Sequence, residues 1–241
     1  MNELYELLQS SAPGELLLRW NTCGKLATIF PEVERLFGVP QRPEHHPEVD
    51  AGVHVAMCLD MAQRLGASEA ARFAVLLHDL GKGLTPVNEL PMHVDHEKRG
   101  LEPVETLCAR LAVPGYWRKL ALLVCEYHLH AHRAFEMRSK SMLKLLNETG
   151  LEFDSALLED FVIACESDKR GRLGKTEGDY PQGQYLLKAA QALQGIGMAP
   201  GTLILDRDTQ ELHRVRLEAV RNAGLPFRRA LEEAKVQRSF C

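Results

Sequence analysis

Alternating runs of β-branched and polar residues, the mark of a half-buried strand, are nearly absent from these 241 residues. Apolar residues recur instead at a spacing of three to four. With no strands to pair, each apolar stripe must bury itself against another helix, so the expected fold class is all-α. Helices are predicted over 3–9, 14–21 and 26–37, the last with Pro31 forcing a boundary or kink. A loop with three prolines at 40–50 precedes helices at 52–65 and 68–80, the second capped by Ser68. An irregular loop at 81–91 follows, then helices at 96–111, 114–128, 140–147, 155–168 and 181–193. Pro114 suits a first-turn position. After 195–200 the chain restarts at Thr202, where Thr202-Leu-Ile-Leu could form a short extended segment. Stretches 208–223 and 226–236 read as two terminal helices.

Composition bounds the rest. With 45% hydrophobic and 26% charged residues, the chain can bury a sizeable core in one domain or two closely packed subdomains. The breaks near Pro40 and Gly195 divide it into an N-terminal, neck-like helical segment (1–39), a central core (40–195) and a C-terminal helical extension (196–241). A net charge of -4 argues against a general nucleic-acid coat. The six cysteines form no Cys-x-x-Cys pair. Cys58, Cys108, Cys125 and Cys165 sit inside apolar helical patterns, where a reduced thiol acts as a small hydrophobe. Reduced cysteines and the absence of a secretory signal point to the cytoplasm. No apolar stretch approaches the roughly 18–20 residues of a membrane span, so no membrane partner is expected.

Chemistry concentrates at His78 and Asp79, which end the apolar run 70–77, with His54 upstream and Asp168 far downstream. Two imidazoles and two carboxylates form a mixed nitrogen and oxygen set suited to nickel, manganese, magnesium, zinc, iron or cobalt. Neighbouring helix positions diverge by about 100°, so both side chains reach one ion only at a helix end. Gly81 and Gly83 would then let the backbone turn away. His96 and His128, at either end of two helices, are the natural ligands of a second ion, with Asp79 as the bridging carboxylate. Each of them alone reads equally as a hydrogen-bonded core histidine. Lys82 and Arg42 lie nearby in sequence, and Lys169, Arg170, Arg172 and Lys175 place four cations in seven residues after Asp168. Such a loop is either a solvated face or a phosphate seat. The arginines suit bidentate phosphate contact, which favours Arg170 or Arg172. His130 and His132, and more loosely His45 and His46, fall in the titration range of an acid or base. The set reads as a metal-dependent hydrolase with a phosphate substrate.

His54, His78-Asp79 and Asp168 match the pattern of the HD phosphohydrolase superfamily. Longer strings extend the match: Leu36-Phe-Gly-Val-Pro-Gln-Arg-Pro-Glu-His-His-Pro-Glu, His78-Asp-Leu-Gly-Lys-Gly-Leu-Thr-Pro, Ser167-Asp-Lys-Arg-Gly-Arg and Asp179-Tyr-Pro-Gln-Gly. From about Leu26 to Leu193 the chain resembles the C-terminal HD domain of the bacterial multifunctional CCA-adding enzymes, tRNA nucleotidyltransferases. The resemblance implies an HD-domain helical bundle with additional terminal helices, the phosphohydrolase domain falling in 40–195. It also implies 2′,3′-cyclic phosphodiesterase, 2′-nucleotidase and phosphatase activities with nickel, manganese or magnesium. The nucleotidyltransferase head of that family carries a Gly-Ser loop and an Asp-x-Asp pair. Asp206 and Asp208 have the spacing, but no such loop precedes them, so CCA addition is not expected from this polypeptide.

Two other readings stay open. A 5′-deoxynucleotidase would use the same metal residues. A binding module descended from a tRNA enzyme would dock RNA through Arg207, Arg214, Arg216, Arg221, Arg228 and Arg229. Between Asp206 and Arg238, however, eight basic residues stand against six acidic ones, too small a surplus for strong salt-dependent attachment. The partners expected are a small nucleotide or RNA-terminal phosphate, tRNA, and either a second copy in a homodimer or a separate nucleotidyltransferase subunit.

Overall fold

The computed structural model describes residues 1–196 and 206–238. Among the described residues the protein is all helix, and its extended pairing is one isolated antiparallel bridge between Pro40 and Asp50. No helix among them is long and apolar enough to cross a membrane. The chain forms two compact units that are not consecutive in sequence: Met1–Leu129 with Asp160–Tyr180, and His130–Glu159 with the chain from Pro181 onward. Helices α9 (Gly115–His132) and α11 (Ser155–Arg170) each run through the division.

The first unit opens with α1 (Asn2–Leu8), which buries Leu4, Leu7 and Leu8 completely. Each such side chain contributes about 1.5–3 kcal/mol. Next, α2 (Pro13–Thr22) lies against α5 (Ala51–Arg64) at Gly14, where a Cβ would sit 2.2 Å from the Ala56 carbonyl oxygen. Pro31 separates α3 (Lys25–Ile29) from α4 (Pro31–Glu34), because proline starts a helix more readily than it continues one. Asp50 caps α5 by accepting from Val53 N at 2.9 Å, and Ser68 caps α6 (Glu69–Leu77) by accepting from Ala71 N at 3.0 Å.

The α6 helix ends three residues before the predicted boundary at residue 80. His78 is its last cap, and the chain tightens into a 3-10 turn, Leu80–Leu84, inside what sequence reads as irregular loop. A second 3-10 turn, Val87–Glu89, follows. The helix expected over 96–111 is two, α7 (His96–Arg99) and α8 (Leu101–Leu111), broken at Gly100. A Cβ at Gly100 would lie 2.5 Å from Cys125 Sγ, so α9 passes where a larger residue could not stand.

The second unit contains α10 (Ser139–Thr149), α12 (Pro181–Leu193) and α13 (Asp206–Arg238). The two helices expected over 208–223 and 226–236 are one continuous helix through Pro226. Contacts on either side of the proline anchor the helix there. Gly224 lies against the Tyr185 ring, Phe227 stacks on Phe135 at 6.0 Å, and Arg228 donates to the Met137 carbonyl at 2.8 Å. Farther along, Arg216 is buried and donates to Glu152 and, at 2.9 Å, to Asn147 Oδ1. The predicted restart at Thr202, with its Thr202-Leu-Ile-Leu segment, lies outside the described residues.

Candidate metal centre

Six side chains, each from a different element of the first unit, converge. His54 comes from the first turn of α5, His78 from the end of α6 and Asp79 from the turn beyond it. His96 opens α7, His128 lies on α9 and Asp168 is in the last turn of α11. All six are buried, none more than 6% exposed.

The backbone decides which ring nitrogen each histidine presents. His78 Nδ1 donates to the Val75 carbonyl at 2.7 Å, His96 Nδ1 to the His93 carbonyl at 2.8 Å and His128 Nδ1 to the Val124 carbonyl at 3.0 Å. His54 Nδ1 instead lies 2.9 Å from Glu48 Oε1. In each case Nδ1–H is occupied and the Nε2 lone pair faces the centre, as it does in a ligating histidine.

Around these four nitrogens Asp79 divides its oxygens. Its Oδ2 lies 3.2 Å from His78 Nε2 and 3.8 Å from His54 Nε2, while Oδ1 lies 3.3 Å from His96 Nε2 and 3.8 Å from His128 Nε2. Asp168 Oδ1 closes the first side, 3.0 Å from His54 Nε2 and 3.9 Å from His78 Nε2. Two groups of donors result, His54, Cys58, His78 and Asp168 on one side and Asp79, His96 and His128 on the other. Within each group the donor atoms lie within 4.8 Å of one another.

These donors fit a divalent metal ion. Lone pairs of His96 Nε2 and His128 Nε2 face each other at 3.4 Å, an arrangement that repels unless a cation or proton lies between them. His78 Nε2 and Asp79 Oδ1 are buried and make no hydrogen bond, which is costly for groups withdrawn from water. The electrostatics agree. Burial would raise the Asp79 carboxyl, but His78 and Lys82 hold it well below the usual range, so it stays an anion. Burial pulls the His78 imidazole down, yet the Asp79 and Asp168 carboxylates outweigh this and raise it. Burial leaves His128 well below its ordinary value and hence neutral. Cys58 is kept a thiol by burial and by the carboxylates around it, so it is not a ready thiolate ligand.

The sequence-predicted cations divide as well. Lys82 is buried, its Nζ 2.6 Å from both Asp79 Oδ2 and Gln41 Oε1. Arg172 Nη2 donates to Asp168 Oδ1 at 3.3 Å. Arg170 is spent on its own loop, binding Glu166 at 2.6 Å and the Thr176 carbonyl at 2.9 Å. Arg42 is exposed beside Glu44. His130 and His132 belong to the second unit. His45 is exposed, and burial holds the His46 imidazole down to about 4. The chain turns through Gly81 and Gly83 in the 3-10 turn without a left-handed φ at either; Gly81 is required for close approach to His96.

Sequence reading passed over Glu48 and Gln41 and read Cys58 only as a buried small hydrophobe. Glu48 and Gln41 lie in a stretch it quoted, but nothing in spacing separates a buried polar residue in a proline-rich loop from a solvated one.

Residues 52–168 match the family model described as HD domain. The chain is also similar to proteins described as multifunctional CCA protein. That of Methylococcus capsulatus is 43% identical over 226 residues, covering 91% of this chain and 52% of that protein. Those of Alkalilimnicola ehrlichii and Acinetobacter baumannii are 46% and 48% identical over 198 and 174 residues, covering 82% and 72% of this chain and 48% and 42% of those proteins. The chain therefore spans about half the length of the curated relatives it matches. An HD domain with a buried cluster of imidazole and carboxylate ligands supports metal-dependent phosphohydrolase chemistry. By fold, ligand cluster and sequence, the chain belongs to the HD-domain superfamily and is homologous over most of its length to the multifunctional CCA proteins.

Proposed function

We propose that this protein is a metal-dependent phosphohydrolase that opens 2′,3′-cyclic nucleotides or dephosphorylates 2′-nucleotides, in work linked to tRNA 3′-end processing. The observation that carries the reading is Asp79, whose two oxygens address two separate histidine pairs in a buried pocket of four Nε2 lone pairs. His54, His78, Asp79 and Asp168 would hold one ion, and Asp79, His96 and His128 a second. On this reading the hydrolytic module would span residues 40–195. The choice of cyclic and 2′-phosphates rests on the relatives' kinship and on the quoted strings, and tRNA is the partner that kinship suggests.

A divalent ion at such a centre polarises a phosphoryl oxygen and makes water nucleophilic near neutral pH. The protein's own groups supply the surroundings. Lys82 and Arg172 bring positive charge to the two carboxylates, so a phosphate entering beside Asp79 and Asp168 meets a cationic wall. Two buried donors, Gln41 Nε2 and Arg172 Nε, have no hydrogen-bond partner among the described residues. Phosphoryl oxygens would satisfy them. Arg170 is engaged by Glu166 and the Thr176 carbonyl of its own loop, and Arg42 is exposed beside Glu44, so Lys82 and Arg172 are the cations held at the carboxylates.

The test is phosphate release from 2′,3′-cyclic, 2′-, 3′- and 5′-nucleotides and from 5′-deoxynucleotides, with nickel, manganese and magnesium in turn, beside Asp79→Ala. Turnover of the cyclic and 2′ substrates, absent in the variant, is expected. Preference for 5′-deoxynucleotides would make it a deoxynucleotidase. No turnover with any metal, together with tight tRNA binding, would make it a binding module.

A further inference from the structure

Glu48 lies in the proline-rich loop that the Pro40–Asp50 bridge closes, its side chain 2% exposed. The next residue, Val49, has φ of 62°, a region β-branched residues seldom enter. That strained backbone is held by the hydrogen bond from Gln41 N to the Val49 carbonyl. A loop held in this way fixes its neighbour's carboxylate where an exposed turn would let it swing into water.

The carboxylate reaches in two directions. Oε1 lies 2.9 Å from His54 Nδ1 and 2.9 Å from His46 Nδ1. Oε2 accepts from Leu173 N at 3.2 Å, the residue directly after Arg172. Three of the four inward histidines are oriented by backbone carbonyls of their own helices or turns, but His54 is oriented by this side chain from a different segment. We propose that Glu48 is a positioning residue that joins the two halves of the site, aiming His54 Nε2 at the metal while seating the Arg172 loop where it meets phosphate.

A carboxylate behind a ligating imidazole fixes its tautomer and raises its basicity, and losing such a partner typically weakens metal binding 10–100-fold. The second bond sets an independent requirement. Glu48→Gln keeps an oxygen that can accept from His54, but its amide nitrogen cannot accept from Leu173 N–H. The two functions therefore separate in one conservative variant.

The inference rests on the metal reading of the cluster and not on which ester is cleaved. Mn2+ affinity by titration calorimetry and competitive inhibition by inorganic phosphate are measured on the full chain for Glu48→Ala, Glu48→Gln and His78→Ala, with helicity checked by circular dichroism. Glu48→Ala is expected to lose 10–100-fold in Mn2+ affinity. Glu48→Gln should recover most of that affinity while phosphate inhibition stays weakened. Mn2+ affinity of folded Glu48→Ala within twofold of the native chain overturns the proposal. So does Glu48→Gln with native phosphate inhibition, which decides the matter if the alanine variant does not fold. If His78→Ala also binds Mn2+ normally, the metal reading itself falls, a failure distinct from loss of the Glu48 link alone.

Discussion

Gly81 is the sharpest place to test how the two histidine pairs are brought onto Asp79. It stands two residues past Asp79 in the 3-10 turn Leu80–Leu84, and its φ lies outside the left-handed region, so alanine meets no backbone penalty there. Its difficulty is space. A Cβ would sit 1.9 Å from the His96 carbonyl oxygen and 2.6 Å from Gly100 N. Carbon–oxygen contacts close at about 3.3 Å, so the two backbones must part by roughly 1.4 Å. No rotamer can absorb this, because the obstructing atoms are main chain. Overpacking of this kind costs about 1–3 kcal/mol, which for a chain of this size lowers Tm by roughly 3–10 °C. The displacement also carries His96 from Asp79 Oδ1, now 3.3 Å from His96 Nε2, and exceeds the tolerance of about 0.5 Å for a metal site. Thermal melts of Gly81→Ala with and without Mn2+ should therefore show a lower Tm and a smaller metal-induced rise. Gly83→Ala is the control, since its Cβ would stop 3.2 Å from the Arg35 backbone and side chain. Native Tm and a native metal response in Gly81→Ala would refute the steric account.

Asp79→Ala removes the oxygens shared by both histidine pairs, and elemental analysis of protein purified without chelator should find its metal lost along with hydrolysis. Arg172→Ala should raise KM several-fold, whereas Arg170→Ala should act through loop stability and lower Tm with little change in KM; the reverse pattern would reassign the phosphate contact. Gly14→Ala drives a Cβ to 2.2 Å from the Ala56 carbonyl oxygen, so urea unfolding should report a loss of about 1–3 kcal/mol. Arg216→Met leaves Glu152 buried and unpaired, at a cost of about 3–5 kcal/mol. Burial already raises the Glu152 carboxyl despite Arg216, and without the arginine it rises further. A raised carboxyl favours the fold while protonated and loses that stability as pH climbs through the folded value. The deficit of Arg216→Met should thus grow from acid toward neutral pH, and a pH-independent deficit would count against it.

Helices with clear periodicity were legible in the chain to within a few residues, as α5, α6 and α12 show. Breaks imposed by packing were not. The split at Gly100 answers to Cys125 on another helix, and the passage of α13 through Pro226 answers to Tyr185 and Phe135. A local rule for glycine or proline sees only the residue's own backbone, and in both places a distant side chain decides.

The candidate site divides in the same way. Sequence alone determined that the chain is helical, that it carries the HD pattern, and which residue types could meet a metal, because periodicity and motif spacing are properties of the chain itself. Tertiary structure alone decided which nitrogen each histidine presents, how Asp79 splits its oxygens, and that Lys82 and Arg172 lie against the carboxylates while Arg170 braces a loop. It also brought in Glu48 and Gln41, whose chemistry in the sequence is that of any polar loop residue. Ligand geometry is fixed by contacts between segments up to 114 residues apart, as between His54 and Asp168, and no local pattern encodes a distance across that span.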